Sequence, residues 1–120
     1  MIDPMKVAGD YIDIWNELDA EQRRVMLQRG WNRAATYVDP LGAAEGLVQV
    51  EQLIGSVQTS FPGHLFTLRG KPDGHGNHAR FSWTLSDGGG SPIAGGTDVV
   101  LVEDAGRIVS VVGFLDEAVS

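Results

Sequence analysis

Apart from one short strand, the hydrophobic period changes once along this chain, and that change limits the folds open to it. Up to about residue 61 apolar residues recur at helical spacing; from His64 onward they fall in strand-like runs of about seven to eleven residues. The stretches KPDGHGN, SDGGGSP and EDAG separate those runs and carry turn chemistry. Helices segregated ahead of strands imply an α+β fold, with the helices lying on a largely antiparallel sheet. No internal repeat or low-complexity segment interrupts the order.

Three helices and one short strand are predicted before the change of period. Asp3 as N-cap and Pro4 at the first helical position open the first helix, whose apolar face carries Met5, Ala8, Tyr11, Ile12 and Trp15. The second starts at Asp19, where Gln22 completes a capping-box pattern, and stops at Gly30. Arg23, Arg24 and Arg29 on that helix read as a solvated face. Arg33 to Val38 form a short strand ended by Asp39 and Pro40, with Ala35, Tyr37 and Asp39 on one side. The third helix runs from about Gly46 to Ser60 on the spacing of Leu47, Val50, Leu53, Ile54 and Val57. Four antiparallel strands follow. The long helix must then cover one sheet face, and a strongly curved sheet leaves a cavity beneath it. Trp15, Leu47, Val50, Ile54, Phe81, Trp83, Val100, Val111 and Leu115 are expected inside.

At 120 residues the chain is expected to be a single domain spanning residues 1–120. Without cysteine it can form no disulfide, thiolate metal site or thiol nucleophile. Nine Lys+Arg against sixteen Asp+Glu leave a net charge of -7, the wrong sign for a nucleic-acid partner. The apolar runs are too short to cross a bilayer, so no membrane partner is expected. The opening MIDPMKVAGDYIDIW lacks the basic region and continuous apolar stretch of a secretory signal, which makes a cytoplasmic location the expectation.

Two carboxylates stand in places that need explaining. Asp39 lies between a β-branched, aromatic strand and a proline, where its side chain either faces the cavity or starts the following turn. Asp98, within GGTDVVLVE, shares a face with Val100 and Val102 and backs onto Val99 and Leu101. A charge in such a run needs a partner such as Arg80, or else keeps its proton in a pocket. Tyr11 and Trp15 lie on an inward stripe that any core would fill with aromatic rings, yet the phenol still needs a polar partner. His64 is in phase with Phe66 and Leu68 and so reaches toward the cavity. Phe81, Trp83 and Leu85 alternate with Arg80, Ser82 and Thr84; a slip of one residue would turn Arg80 inward toward Asp98. Asp73, His75 and His78 occupy a solvated hairpin tip at no recognised ligand spacing, and no metal site is expected there.

The order of elements, the Asp39-Pro40-Leu41-Gly42 motif closing the first strand, and the stretch GTDVVLVEDAGRIVSVVGFLD from Gly96 to Asp116 together resemble the nuclear transport factor 2-like superfamily. That superfamily includes SnoaL-like polyketide cyclases and ketosteroid isomerases, and the resemblance covers nearly the whole chain. It implies a cone-shaped fold in which three N-terminal helices pack on a strongly curved, mixed and largely antiparallel sheet around a small-molecule pocket. It also implies roles: Asp39 as general base, with Tyr11 and Asp98 as oxyanion donors, in an isomerase or cyclase that needs no cofactor. On the same reading Trp15, Tyr37, His64, Arg80, Phe81, Trp83 and Leu115 line a pocket for a small apolar or carbonyl-containing molecule. The segment between Tyr11 and Asp39 is a few residues longer than in the isomerases, and Tyr37 and Trp83 are bulky where a steroid needs room. A noncatalytic ligand-binding or dimerisation module, with Asp98 in a structural ion pair, is the alternative. A homodimer is expected on either reading, because helices on one sheet face leave Val99, Leu101, Val109 and Val112 on the other.

Overall fold

The computed structural model describes residues 2–116. Among them the order is α1 (Pro4–Asn16), α2 (Ala20–Gly30), β1 (Trp31–Asp39), β2 (Gly42–Glu45), α3 (Leu47–Ser60), β3 (Leu65–His75), β4 (His78–Ser86), β5 (Pro92–Val102) and β6 (Ile108–Leu115). The strands form one sheet in the order β2-β1-β6-β5-β4-β3. β1 and β6 run parallel and every other neighbouring pair is antiparallel. The sheet is strongly curved, as the sequence led one to expect, and mixed, as the resemblance implied; it is not closed. Register shifts in β1, β3 and β5 supply bends of the kind that curvature requires.

The helix starts follow the capping rules. Asp3 accepts from the amides of Met5 at 3.0 Å and Lys6 at 3.5 Å, and Asp19 from those of Glu21 at 2.9 Å and Gln22 at 3.2 Å. Gly46 opens α3 without a side-chain cap, at φ 82°, where a Cβ would be strained. Strand β2 was not anticipated. Its sequence GAAE has little strand propensity, and it forms because Asp39 folds the chain back: Oδ1 accepts from the amides of Leu41 at 2.8 Å and Gly42 at 3.0 Å. Pairing of Trp31 with Ile108 of β6 also starts β1 at Trp31, ahead of Arg33.

The core lies between the helices and the concave sheet face. Tyr11, Trp15, Val50 and Ile54 pack there with Tyr37, Phe81, Val100 and Val111. Each fully buried aliphatic side chain of this kind contributes roughly 1.5–3 kcal/mol. Leu47 and Trp83 are half-buried against this cluster. Met5 is exposed at the outer end of α1. Leu115, expected inside and in the pocket, is 40% exposed: its register partner is Gly96, which offers it no side chain to pack on at the end of the sheet.

Arg24 and Arg29 are exposed, as the reading of α2 as a solvated basic face expects, but Arg23 is not. It is 4% exposed and lies between α2 and α3, where Nε and Nη2 donate to Glu51 Oε1 at 3.0 and 2.6 Å. Nη1 donates to the Glu17 carbonyl and to Gln58 Oε1, both at 2.7 Å. The absence of a side chain at Gly55 makes room for it, since a Cβ there would stand 3.3 Å from Nη2. A buried charge is tolerable only with such complete pairing.

Candidate functional site

Strand alternation brings Tyr37 and Asp39 of β1, Gly113 of β6 and Asp98 of β5 onto the concave face. Asp98 is the register partner of Gly113 and of Phe81, while Val38 pairs with Val112, so Asp39 and Asp98 come to Gly113 from opposite sides. A Cβ added at Gly113 would lie 2.8 Å from Asp98 Oδ1 and 3.2 Å from the Asp39 Cβ. The glycine therefore leaves the space in which the two acidic side chains meet.

Their environments differ. Asp39 is half-buried and fully engaged: Oδ1 holds the turn into β2, and Oδ2 accepts from the Tyr37 hydroxyl at 2.6 Å. It is thus both the turn former and a member of the concave face. Asp98 is 3% exposed. Burial pushes its carboxyl up to about 6, opposed by the Tyr11 hydroxyl and the Trp83 indole that face it and assisted by the charge of Asp39. Both phenols are held above their ordinary range. Burial is the main cause for each; the charge of Asp98 adds to it at Tyr11, and the hydrogen bond to Asp39 adds to it at Tyr37.

Aromatic rings surround this group. Trp15 lies 6.2 Å from Tyr11, 5.8 Å from Tyr37 and 5.5 Å from Phe66, and Phe66 meets Trp83 edge-on at 5.3 Å. Phe81 packs edge-on against Tyr11 at 5.0 Å. Trp83 lies across Gly96, where a Cβ would stand 2.5 Å from its Cζ2 and 2.8 Å from its Cε2. Gly96 and Gly113 were not singled out from the sequence. Their signal was glycine within a strand pattern, single at Gly113 and paired with Gly95 at Gly96, which marks close approach of another group.

Of the residues expected in the site, Tyr11, Trp15, Tyr37, Asp39, Phe81, Trp83 and Asp98 come together; Arg80, His64 and Leu115 do not. Arg80 points outward, where Asp73 is its register partner on β3, and donates to both Asp73 oxygens at 3.1 and 2.8 Å. It cannot be the ion-pair partner of Asp98. His64 precedes β3, with Nδ1 3.0 Å from the Pro62 carbonyl and its ring 5.4 Å from Phe61, so the turn after α3 occupies it.

Two cavities lie away from the carboxylates. One of about 640 Å³ sits among α1, α2 and the β5–β6 turn, and one of about 1000 Å³ lies beside the starts of β1 and α3. Among the described residues no group of three or more His, Cys, Asp or Glu is arranged to hold a metal ion. His75 and His78 do approach, at 5.9 Å between ring centroids. Among the described residues no helix is long and apolar enough to cross a membrane.

Three helices seated on an open, curved sheet are the architecture of the nuclear transport factor 2-like cone fold. No protein-family model and no curated protein matches the sequence. A crystal structure from Agrobacterium tumefaciens strain C58, provisionally named an isomerase of the SnoaL-like family, is 46% identical over 94% of this chain and 97% of its own, with a TM-score of 0.92. A SnoaL-like protein of unknown function from Burkholderia thailandensis E264 superposes with a TM-score of 0.74 at 12% identity, over 94% of each chain. A protein from Jannaschia sp. CCS1, provisionally named a SnoaL-like polyketide cyclase, gives 0.73 at 13% identity over 97% of this chain and 90% of its own. The last two are similar in fold alone. At the identity of the first, the chain belongs to the SnoaL-like family.

Proposed function

We propose that the chain is a small-molecule enzyme of the isomerase or cyclase type, in which Asp98 moves a proton on a carbonyl compound and Tyr11 donates to its oxygen. The observation that carries this reading is the contrast between the two carboxylates. Both oxygens of Asp39 are engaged, by two backbone amides and the Tyr37 hydroxyl, which leaves it poorly suited to accept a substrate proton. Asp98 is buried with only the Tyr11 hydroxyl and the Trp83 indole facing it, and burial pushes its carboxyl up to about 6, close to the range in which one carboxyl can both take and return a proton. The roles implied by resemblance are thereby redistributed: Asp98 replaces Asp39 as the base, and Asp39 becomes the fixed partner of Tyr37.

In the reaction so assigned, the Asp98 carboxylate removes a proton from the carbon beside the carbonyl. The C–H pair passes into the enolate, and the Tyr11 O–H donates to the oxygen as charge develops on it. Where a carbon–carbon double bond adjoins that carbon, returning the proton to the far end of the resulting dienolate completes an isomerisation. The provisional naming of the Agrobacterium relative as an isomerase agrees with this class. The test is deuterium exchange from solvent into a panel of small cyclic ketones: Asp98→Asn should abolish exchange and Asp39→Asn should reduce it less. Equal exchange with and without Asp98 would refute the assignment.

A second reading is favoured by the aromatic filling around Asp98, with Tyr37 itself buried. It makes the chain a noncatalytic binding or dimerisation module. Ligand binding without any exchange would select it. On both readings the chain forms a homodimer through the convex sheet face, where Val38, Val112 and Phe114 are exposed together.

A further inference from the structure

The C-terminal turn of α1 is fixed more firmly than helix packing requires. The Asn16 side chain donates to the Phe66 carbonyl at 2.8 Å and accepts from the Phe66 amide at 2.9 Å, tying the helix end to β3. One residue earlier, the Trp15 carbonyl accepts from Gln58 Nε2 at 2.9 Å. Gln58 is itself held by the buried Arg23 at 2.7 Å. Trp15 is thus locked from both sides of the cone.

What is locked is an unmade hydrogen bond. Trp15 is buried, and its indole N–H has no partner among the described residues. Leaving a buried donor unmade is unfavourable, and such groups in native proteins call for a cause. The indole faces the Tyr11 hydroxyl, one helical turn earlier on the same face of α1. Trp31, the other tryptophan with an unpartnered indole N–H, stacks on the Tyr11 ring at 6.0 Å and lines the two outer cavities instead.

We infer that the Trp15 indole N–H is a second donor, beside the Tyr11 hydroxyl, to the oxygen of the bound carbonyl compound. The inference rests on the function proposed above and deepens it. Two donors from one rigid helical turn form a site for developing negative charge, and their fixed positions remove the need to reorganise when the ligand arrives. Among the described residues no cation acts on Tyr11 or Asp98. The charged groups beside the Tyr11 and Tyr37 hydroxyls are Asp98 and Asp39, so a neutral carbonyl compound suits the site better than a carboxylate or phosphate.

The experiment uses 2-naphthol, a planar molecule with one oxygen that ionises to an enolate-like anion. Its binding to the full chain is followed in the 1H–15N spectrum of the indole groups, with the three tryptophan signals assigned from Trp31→Phe and Trp83→Phe. The Trp15 N–H resonance should move downfield on saturation, and Trp15→Phe should weaken naphthol binding by about tenfold, the worth of one hydrogen bond. The shift is read on the native chain, so it decides the matter even if Trp15→Phe folds poorly. Naphthol binding that leaves the Trp15 signal in place while Tyr11→Phe weakens it would overturn this inference and spare the proposed site. Failure of the native chain to bind naphthol would overturn both.

Discussion

Asp39 and Asp98 reach the same point on the concave face from the strands on either side of β6, with only Gly113 between them. Gly113→Ala would put a methyl group 2.8 Å from Asp98 Oδ1 and 3.2 Å from the Asp39 Cβ. Neither neighbour can yield freely, because Asp39 is held by its turn and Asp98 is buried. The expected loss is about 1–3 kcal/mol by urea unfolding, as for other overpacked sites. Gly9→Ala is the control: it lies within α1, meets nothing within 4 Å, and should stabilise by about 0.5–1 kcal/mol.

Asp98 should make stability depend on pH in the direction opposite to that of a salt-bridged carboxylate. Its carboxyl is raised from 3.8 to about 6 in the folded chain. Between those values the folded state keeps a proton that the unfolded state has released, so stability falls as pH rises through that window and levels off above it. The full difference is about 3 kcal/mol, as an order of magnitude. Asp98→Asn cannot ionise, and its unfolding free energy should lack this fall. Parallel curves for the native chain and Asp98→Asn from pH 4 to pH 8 would contradict the buried environment assigned to Asp98.

Much of the fold was legible because its signals are local. The Asp3 and Asp19 caps, the 3.6-residue stripe of α3 and the alternation around Asp98 each act within a few residues. Strand β2 was not legible, since GAAE pairs only because the Asp39 turn presents it to β1. Arg23 was misread for a related reason: Glu51 and Gln58, which allow its burial, lie 28 and 35 residues away in sequence. At the site, the residue types and faces of Tyr11, Asp39 and Asp98 could be read. The direction in which Arg80 points depended on the β3–β4 register, which gives it Asp73 as a neighbour.

The Tyr37 hydroxyl and Asp39 Oδ2 form a 2.6 Å hydrogen bond in a part-buried setting. Tyr37→Phe keeps the ring against Trp15 and removes that donor. It should cost about 1–3 kcal/mol, because the carboxylate oxygen it leaves behind has lost water and gained nothing. Asp39→Ala should cost more than Asp39→Asn, since asparagine retains an acceptor for the Leu41 and Gly42 amides. Thermal melts of the three variants test the ranking, and equal losses for Asp39→Ala and Asp39→Asn would show that the turn does not depend on this side chain.

The convex sheet face makes the strongest demand for a partner. Among the described residues no helix covers it, and Phe114 is 55% and Val112 41% exposed on adjacent positions of the same strand face. Val99 and Leu101 are only half-buried beside them, so the apolar surface is continuous across β5 and β6. A second copy related by a two-fold axis would cover this patch with its own, and any substitution within it would then appear twice in the interface. Light scattering at micromolar concentration should give twice the mass of one chain. Val112→Glu should give the monomer mass while leaving the helical and strand signals of circular dichroism unchanged, because the residue makes no core contact. A monomer mass for the native chain would remove the dimer from the proposal. A dimer that survives Val112→Glu would move the interface to another face.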